Sequence, residues 1–315
     1  MPGGCDFHLS KNVLMGTEKR FSGVVVPLVT PLTSRLLLDE DAVVRLVQRM
    51  TEGTCQSFIM GTTGEAPSLP MSLRLRYIEL SAKQKRFGDL YVGISSFCIE
   101  DSIQLARHAA DHGADAVVAT LPYFFPLTRE QILGYYTTLA DKSPLPLIMY
   151  NIPVTTHVSL PLDLMDALSH HPNIAGFKDS EQNDPRLMEA LSLWRDRTDF
   201  SHFMGSAARS AMALENGSDG IVPSAGNLEP GWYAKLYAHA TTGKDAGHYQ
   251  RITDELGMVY QRERTLGESL WALKEMLHLH GLCTSHMMPP LTKGNEAESE
   301  LLKNAYTAFT EKGYE

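Results

Sequence analysis

A lysine at the end of an apolar run is the first feature of this chain that could do chemistry. In Asn173-Ile174-Ala175-Gly176-Phe177-Lys178-Asp179-Ser180, a stretch short enough for a buried strand ends in an ammonium, and a helix start at Asp184-Pro185 follows closely. Strict alternation puts Ile174, Gly176 and Lys178 on one face and Ala175 and Phe177 on the other, with Gly176 leaving space beneath the lysine stem. An ammonium held there must find a partner or lose its proton. With a pKa near 10.4, only roughly one lysine in 2,500 is neutral at pH 7. Desolvation lowering that value by about 3 units, a differential effect of roughly 4 kcal/mol, makes a large share of the amine nucleophilic. Such an amine attacks a ketone to give a Schiff base. The competing reading is a strand-end lysine that turns into solvent, the common fate of lysine.

Forming and breaking an imine needs proton transfer, and Tyr150, closing the apolar run Leu147-Ile148-Met149-Tyr150, is a candidate acid and base. Its alternative is a core tyrosine with a satisfied hydroxyl. Gly61-Thr62-Thr63-Gly64-Glu65 follows the run Ser57-Phe58-Ile59-Met60. Hydroxyls and open backbone N–H groups between glycines suit a carboxylate, and a plain glycine turn with threonine caps competes with that reading.

These residues sit at the ends of a repeating pattern. Apolar strands begin at Gly23, Ser57, Leu90, Ala116, Leu147, Asn173, Phe200 and Gly220, each followed by a stretch of helical periodicity, including Ser72–Phe87, Leu162–His170 and Ala207–Asn216. Thr128-Arg129-Glu130-Gln131 is a capping pattern. A faint echo links Gly113-Ala114-Asp115-Ala116-Val117 with Gly217-Ser218-Asp219-Gly220-Ile221. Strands without polar alternation imply burial on both faces, and eight such units predict a (β/α)8 TIM barrel; an open sheet of six or seven strands is the alternative. Residues 1–20 read as a tail and 21–242 as the barrel, with 243–315 a C-terminal helical appendage packed on it. In such a barrel the strand ends and following loops share one mouth. That rule gathers Gly61, Thr62, Thr63, Tyr123, Phe124, Tyr150, Asn151, Lys178, Gly205, Ser206 and Ser224.

Composition narrows the classes. The 315 residues are 43% hydrophobic and 21% charged, with a formal charge of −9, which argues against a general nucleic-acid binder. Cys5, Cys55, Cys98 and Cys283 are scattered, as in reduced cytoplasmic proteins, and no run approaches a membrane helix. His278 with His280, and His170 with His171, lack metal-ligand spacing, so no metal is expected. There is no glycine-rich nucleotide loop, no GxSxG, and no evident base beside Cys98.

Gly61-Thr62-Thr63-Gly64-Glu65, Tyr150-Asn151-Ile152-Pro153 and Gly176-Phe177-Lys178-Asp179-Ser180, in this order, resemble the dihydrodipicolinate synthase and N-acetylneuraminate lyase family of class I, pyruvate-handling aldolases. The resemblance covers roughly residues 21–301. It implies a barrel, no cofactor, a homotetramer or homodimer, and a Schiff base between Lys178 and a 2-oxo acid. It also implies that Tyr150 shuttles protons, that Thr62 relays them, and that Thr63 with its backbone holds the pyruvyl carboxylate.

The chain departs from the synthases at two places. They carry an arginine where this chain has Thr155, and a relay tyrosine where it has Phe124, with the neighbouring Tyr123 a candidate substitute. It departs from sialic-acid lyases at Gly205-Ser206-Ala207, where those enzymes place acidic side chains. Gly205-Ser206-Ala207 with His171-Pro172-Asn173-Ile174 is similar to 4-hydroxy-2-oxoglutarate aldolases, which usually have serine-asparagine in place of Thr62-Thr63. The expectation is a lyase acting on pyruvate or a 2-oxo-3-deoxy acid, by aldol cleavage or dehydration. A dihydrodipicolinate synthase proper and a non-catalytic barrel that binds a 2-oxo acid are the alternatives.

Overall fold

The computed structural model describes residues 19–314. Eight parallel strands close into a barrel in sequence order: β1 (Gly23–Pro27), β2 (Gln56–Ile59), β3 (Leu90–Gly93), β4 (Ala116–Ala119), β5 (Leu147–Asn151), β6 (Ile174–Asp179), β7 (Ser201–Met204) and β8 (Gly220–Ile221). Around them run α1 (Glu40–Glu52), α2 (Met71–Gln84), α3 (Ile99–Asp111), α4 (Arg129–Lys142), the single turn α5 (Pro153–Thr156), α6 (Leu162–Leu168), α7 (Asp184–Trp194), α8 (Ser210–Glu215) and α9 (Pro230–Thr241). Three further helices, α10 (Gly247–Gln261), α11 (Leu266–Leu279) and α12 (Glu296–Thr310), pack on α9 and on one another.

Two cores result from the period of two along each strand. Outward residues such as Phe177 join the helices, where Phe177 meets Trp194 edge-on at 5.3 Å and Trp194 Nε1 donates to Asp166 at 2.9 Å. Inward residues, among them Val25, Phe58, Tyr91, Val118, Ile148 and Phe203, fill the barrel. The barrel closes from β8 to β1 at a close approach: a Cβ on Gly220 would stand 2.6 Å from the Gly23 carbonyl oxygen and from the Phe203 ring, so only a glycine permits that closure.

The sequence echo has a physical counterpart at the strand starts. Asp115 Oδ2 accepts from the Leu90 N–H at 2.7 Å and pairs with Lys85 at 2.6 Å. Asp219 Oδ2 does the same for the His202 N–H at 2.8 Å and Lys19 at 2.9 Å. Each aspartate, placed after a glycine of positive φ (Gly113 +87°, Gly217 +101°), ties the start of the preceding strand to a lysine. Lys19, read as tail, is therefore held against the barrel; residues 1–18 lie outside the described region, and Cys5 with them.

Four local expectations are corrected. Ile174 does not share the Lys178 face: the β5–β6 register slips between Leu147 and Ile148, a one-residue irregularity that turns Ile174 into the outer core. The space over Gly176 is already taken, since an added Cβ would lie 2.9 Å from Ile148 Cδ1. The helix expected over Ala207–Asn216 splits into a 3-10 turn, Ala207–Arg209, and the short α8, and α6 stops at Leu168.

Candidate active site

Lys178 reaches the barrel interior because β6 regains alternation after its slip, and the register places it directly beside Tyr150 on β5. It is 5% exposed. Its Nζ lies 3.7 Å from the centre of the Tyr150 ring and 5.1 Å from that of Phe58, over a void of about 10 Å³ walled by Val25, Val118, Ile148, Phe203 and Val222. Desolvation by these apolar walls drives the amine's pKa below that of a free lysine, against the opposing pull of Tyr150. No carboxylate pairs with the lysine among the described residues.

The Tyr150 ring packs against the amine. Burial alone opposes ionisation of its phenol, but the Lys178 charge, Ser180 and Thr62 together outweigh burial, and the net displacement is downward. Its Oη is 3.4 Å from Thr62 Oγ1 and 3.5 Å from Ser180 Oγ, long for O–H···O bonds and short enough to tighten around a substrate. Gly205 makes the second contact possible: a Cβ there would sit 2.0 Å from Ser180 Oγ.

Thr62 and Thr63 lie on a sharp exit from β2. Met60 takes a left-handed conformation (φ 57°), and the turn is closed by Gly64 N–H to Gly61 O (3.1 Å) and Glu65 N–H to Thr62 O (3.0 Å). The N–H groups of Thr62 and Thr63 donate to no described residue and remain open to an anion. Thr63 Oγ1 and Ser224 Oγ are 2.9 Å apart. One hydroxyl of that pair donates to the other, so the pair keeps one proton to offer.

Above Tyr150 opens a cavity of about 540 Å³. Of the expected site residues, Gly61, Thr62, Tyr123, Tyr150 and Thr155 line it; Thr63, Gly205, Ser206 and Ser224 do not, and Lys178 borders the small void instead, its Nζ against the Tyr150 ring. Ser206 is buried at the head of the turn before α8. Thr155 donates its hydroxyl to the Ile152 carbonyl at 3.2 Å. Tyr123 rests edge-on against Phe97 at 4.8 Å, while Phe124 is 73% exposed.

Two supporting contacts escaped the sequence reading: the partner of Glu65, and the network around Asn151, a residue expected at the mouth without a role. Glu65, the last residue of the Gly-Thr-Thr-Gly-Glu turn, forms a fully buried ion pair with Lys274 of α11 at 2.8 Å and accepts the Met288 N–H at 2.7 Å; Lys274 also donates to the His286 carbonyl. The partners are 209 residues apart, and no local pattern announces the contact. Asn151, wholly buried, donates to Asp179 (2.8 Å) and Glu181 (3.1 Å) and accepts from the Leu160 N–H (3.0 Å), while Arg186 grips Asp179 at 2.7 Å. This network locks the strand ends one residue beyond Tyr150 and Lys178. Asn151 and Asp179 follow Tyr150 and Lys178 directly, and that adjacency is the one sequence signal for the network they form.

The chain is similar to known proteins over nearly its whole length. A dihydrodipicolinate synthetase family model matches residues 20–308. The 4-hydroxy-tetrahydrodipicolinate synthase of Acidiphilium cryptum is 32% identical over 221 residues, 69% of this chain and 75% of that protein. An uncharacterized DapA-like lyase of Thermococcus kodakarensis is 30% identical over 287 residues, 89% of this chain and 97% of that one. Among solved structures, dihydrodipicolinate synthase from Bacteroides thetaiotaomicron has a TM-score of 0.86 at 30% identity, covering 92% of this chain and 99% of that one. With that barrel, and with a family match spanning it from before β1 into α12, the chain belongs to the dihydrodipicolinate synthetase family and is a class I lyase.

Proposed function

We propose that the protein cleaves or forms a carbon–carbon bond in a 4-hydroxy-2-oxo acid, of the 4-hydroxy-2-oxoglutarate or 2-keto-3-deoxy sugar acid type, through a Schiff base on Lys178. The observation that carries this reading is a desolvated lysine without a carboxylate partner, placed against a phenol. The Lys178 amine adds to the C2 ketone and the carbinolamine loses water to give an iminium. Tyr150 takes the proton of the C4 hydroxyl, the C3–C4 bond breaks, and its electrons pass to the iminium. An aldehyde leaves, and the enamine, protonated at C3 and hydrolysed, gives pyruvate. The open Thr62 and Thr63 N–H groups suit the C1 carboxylate, and the Thr62 hydroxyl suits a relay to Tyr150. Loss of the C4 hydroxyl as water, in place of aldol cleavage, is open to the same iminium.

A second carboxylate on the aldehyde, as the synthase reaction requires, has little to meet. Thr155 stands where synthases carry arginine. The one basic side chain on the cavity wall among the described residues is Arg74, which spends its nitrogens on the carbonyls of Leu69, Ser95 and Ala66. Hydroxyls of Ser96, Thr120, Tyr123 and Thr155 are more numerous there, which favours a hydroxylated aldehyde. A panel of 4-hydroxy-2-oxo acids with charged and uncharged far ends, read by release of pyruvate, is the test: turnover of at least one is expected. Binding of all without turnover would support a non-catalytic barrel, and condensation of pyruvate with an acidic semialdehyde alone would support the synthase.

Tyr150→Phe keeps the ring over the amine and removes the hydroxyl. The expected result is a fall in kcat of about 10²–10⁴-fold, with pyruvate still captured on Lys178, more slowly; stopped-flow trapping separates the two. The same reading takes the chain as a homodimer or homotetramer. The exposed cluster Phe97, Phe124 and Phe125 beside the mouth supports an associating surface, and light scattering of the purified chain checks it.

A further inference from the structure

Away from the barrel mouth, α2 and the end of α3 bring Glu79, His108 and His112 together, one donor atom of each lying within 4.8 Å of the other two. The imidazoles are four residues apart, with ring centres separated by 4.2 Å. His112 Nδ1 is 2.8 Å from the His108 carbonyl oxygen, which can only accept, so that nitrogen carries the proton and Nε2 keeps its lone pair. A backbone carbonyl gripping the far nitrogen is the usual orienting contact of a ligating histidine. His108 Nε2 is 3.2 Å from the Leu75 carbonyl and 3.5 Å from Glu79 Oε1. Two ligand atoms bound about 2.0–2.1 Å from a tetrahedral ion stand about 3.4 Å apart. The His108 to Glu79 spacing already matches; Nε2 now faces the Leu75 carbonyl oxygen, and the His108 ring must turn off that oxygen for an ion to sit on it.

The local charge also fits. Arg76 holds Glu79 through Oε2 only (2.9 Å), and it is itself held by both oxygens of Glu40, at 2.8 and 2.9 Å. Two carboxylates against one guanidinium leave a net negative charge, with Glu79 Oε1 facing the histidines. Helix-end capping by the histidines explains the His112 contact to its own helix, but not the arrival of a carboxylate from the neighbouring one.

We propose that Glu79, His108 and His112 bind one divalent cation of the zinc or cobalt type, with water in the fourth position, joining α2 to α3. Two imidazoles and one carboxylate suit such borderline ions, whereas calcium and magnesium need mostly oxygen ligands. The three side chains are half-buried or exposed, so the ion enters from solvent. None of them lines the cavity above Tyr150, and the effect of binding is on stability, through preference for the folded state.

The test is Zn²⁺ titration by calorimetry and Co²⁺ titration by visible absorption, on full-length protein first stripped with a chelator. One ion per chain is expected, with a rise in Tm and Co²⁺ bands of a low-coordinate nitrogen and oxygen site. His108→Gln and His112→Gln should each weaken binding more than about tenfold, and Glu79→Gln should weaken it too, with turnover and the metal-free Tm unchanged. Absence of saturable binding, or binding that survives in the His108→Gln/His112→Gln double variant, would overturn the proposal.

Discussion

Lys178→Met is expected to lower turnover by at least about 10⁴-fold, the scale of losing a covalent nucleophile, and at the same time to stabilise the fold. The second effect follows from the same desolvation that activates the amine. Above a pH of about 10.4 the lysine is neutral in folded and unfolded chains alike, and burying it carries no charge penalty. As pH falls, the unfolded chain takes up the proton first, because the folded value is depressed; wild-type stability therefore drops across the window between the two pKa values and stays reduced below it. Methionine carries no such penalty. The variant's advantage, on the order of 1 kcal/mol, is largest at neutral pH and shrinks as pH rises toward the free-lysine value. Denaturant melts at several pH values check it; a variant less stable than wild type at pH 7 would mean that the amine is satisfied where it lies.

Lys274→Met should act in the opposite sense on stability. It strands the Glu65 carboxylate, which keeps one hydrogen bond, from Met288, in a site without solvent. Removing one partner of such a pair costs about 3–5 kcal/mol. Because Glu65 ends the turn that carries Thr62 and Thr63, KM for the 2-oxo acid should rise along with the loss of stability. Lys274→Met combined with Glu65→Gln should recover much of the stability, since no charge is then left unpaired. Equal destabilisation by the single and double changes would show that the methionine disturbs packing and that the pair is not the cause.

What could be read from the chain followed from local rules. Capping at Thr128, with Gln131 bonding back, is present as the pattern predicts, and the Asp184–Trp194 helix starts where the Asp184-Pro185 signal places it, with Asn183 as its cap. Eight apolar strands closed into the expected barrel because a run with no polar face must be covered on both sides. Lys178 and Tyr150 are adjacent because both end inward on neighbouring strands. Ile174 was misplaced because alternation has no means of signalling a register slip, which depends on the partner strand. The Glu65 to Lys274 pair, the Thr63 to Ser224 contact and the Tyr150 ring over the lysine are long-range meetings, set by how turns and helices pack. For the same reason Ser206 and Ser224, correctly placed at strand exits, do not stand on the cavity wall.

Lys178 packs against Tyr150 but is absent from the wall of the cavity that Tyr150 lines, which makes one question decisive: whether the amine reaches a keto group at all. Incubation with pyruvate, reduction with borohydride and mass analysis of the intact chain and its peptides answers it. The predicted result is a single stoichiometric addition carried by the peptide containing Lys178 and lost in Lys178→Met. An unchanged mass, or an addition on any other lysine, would contradict the account.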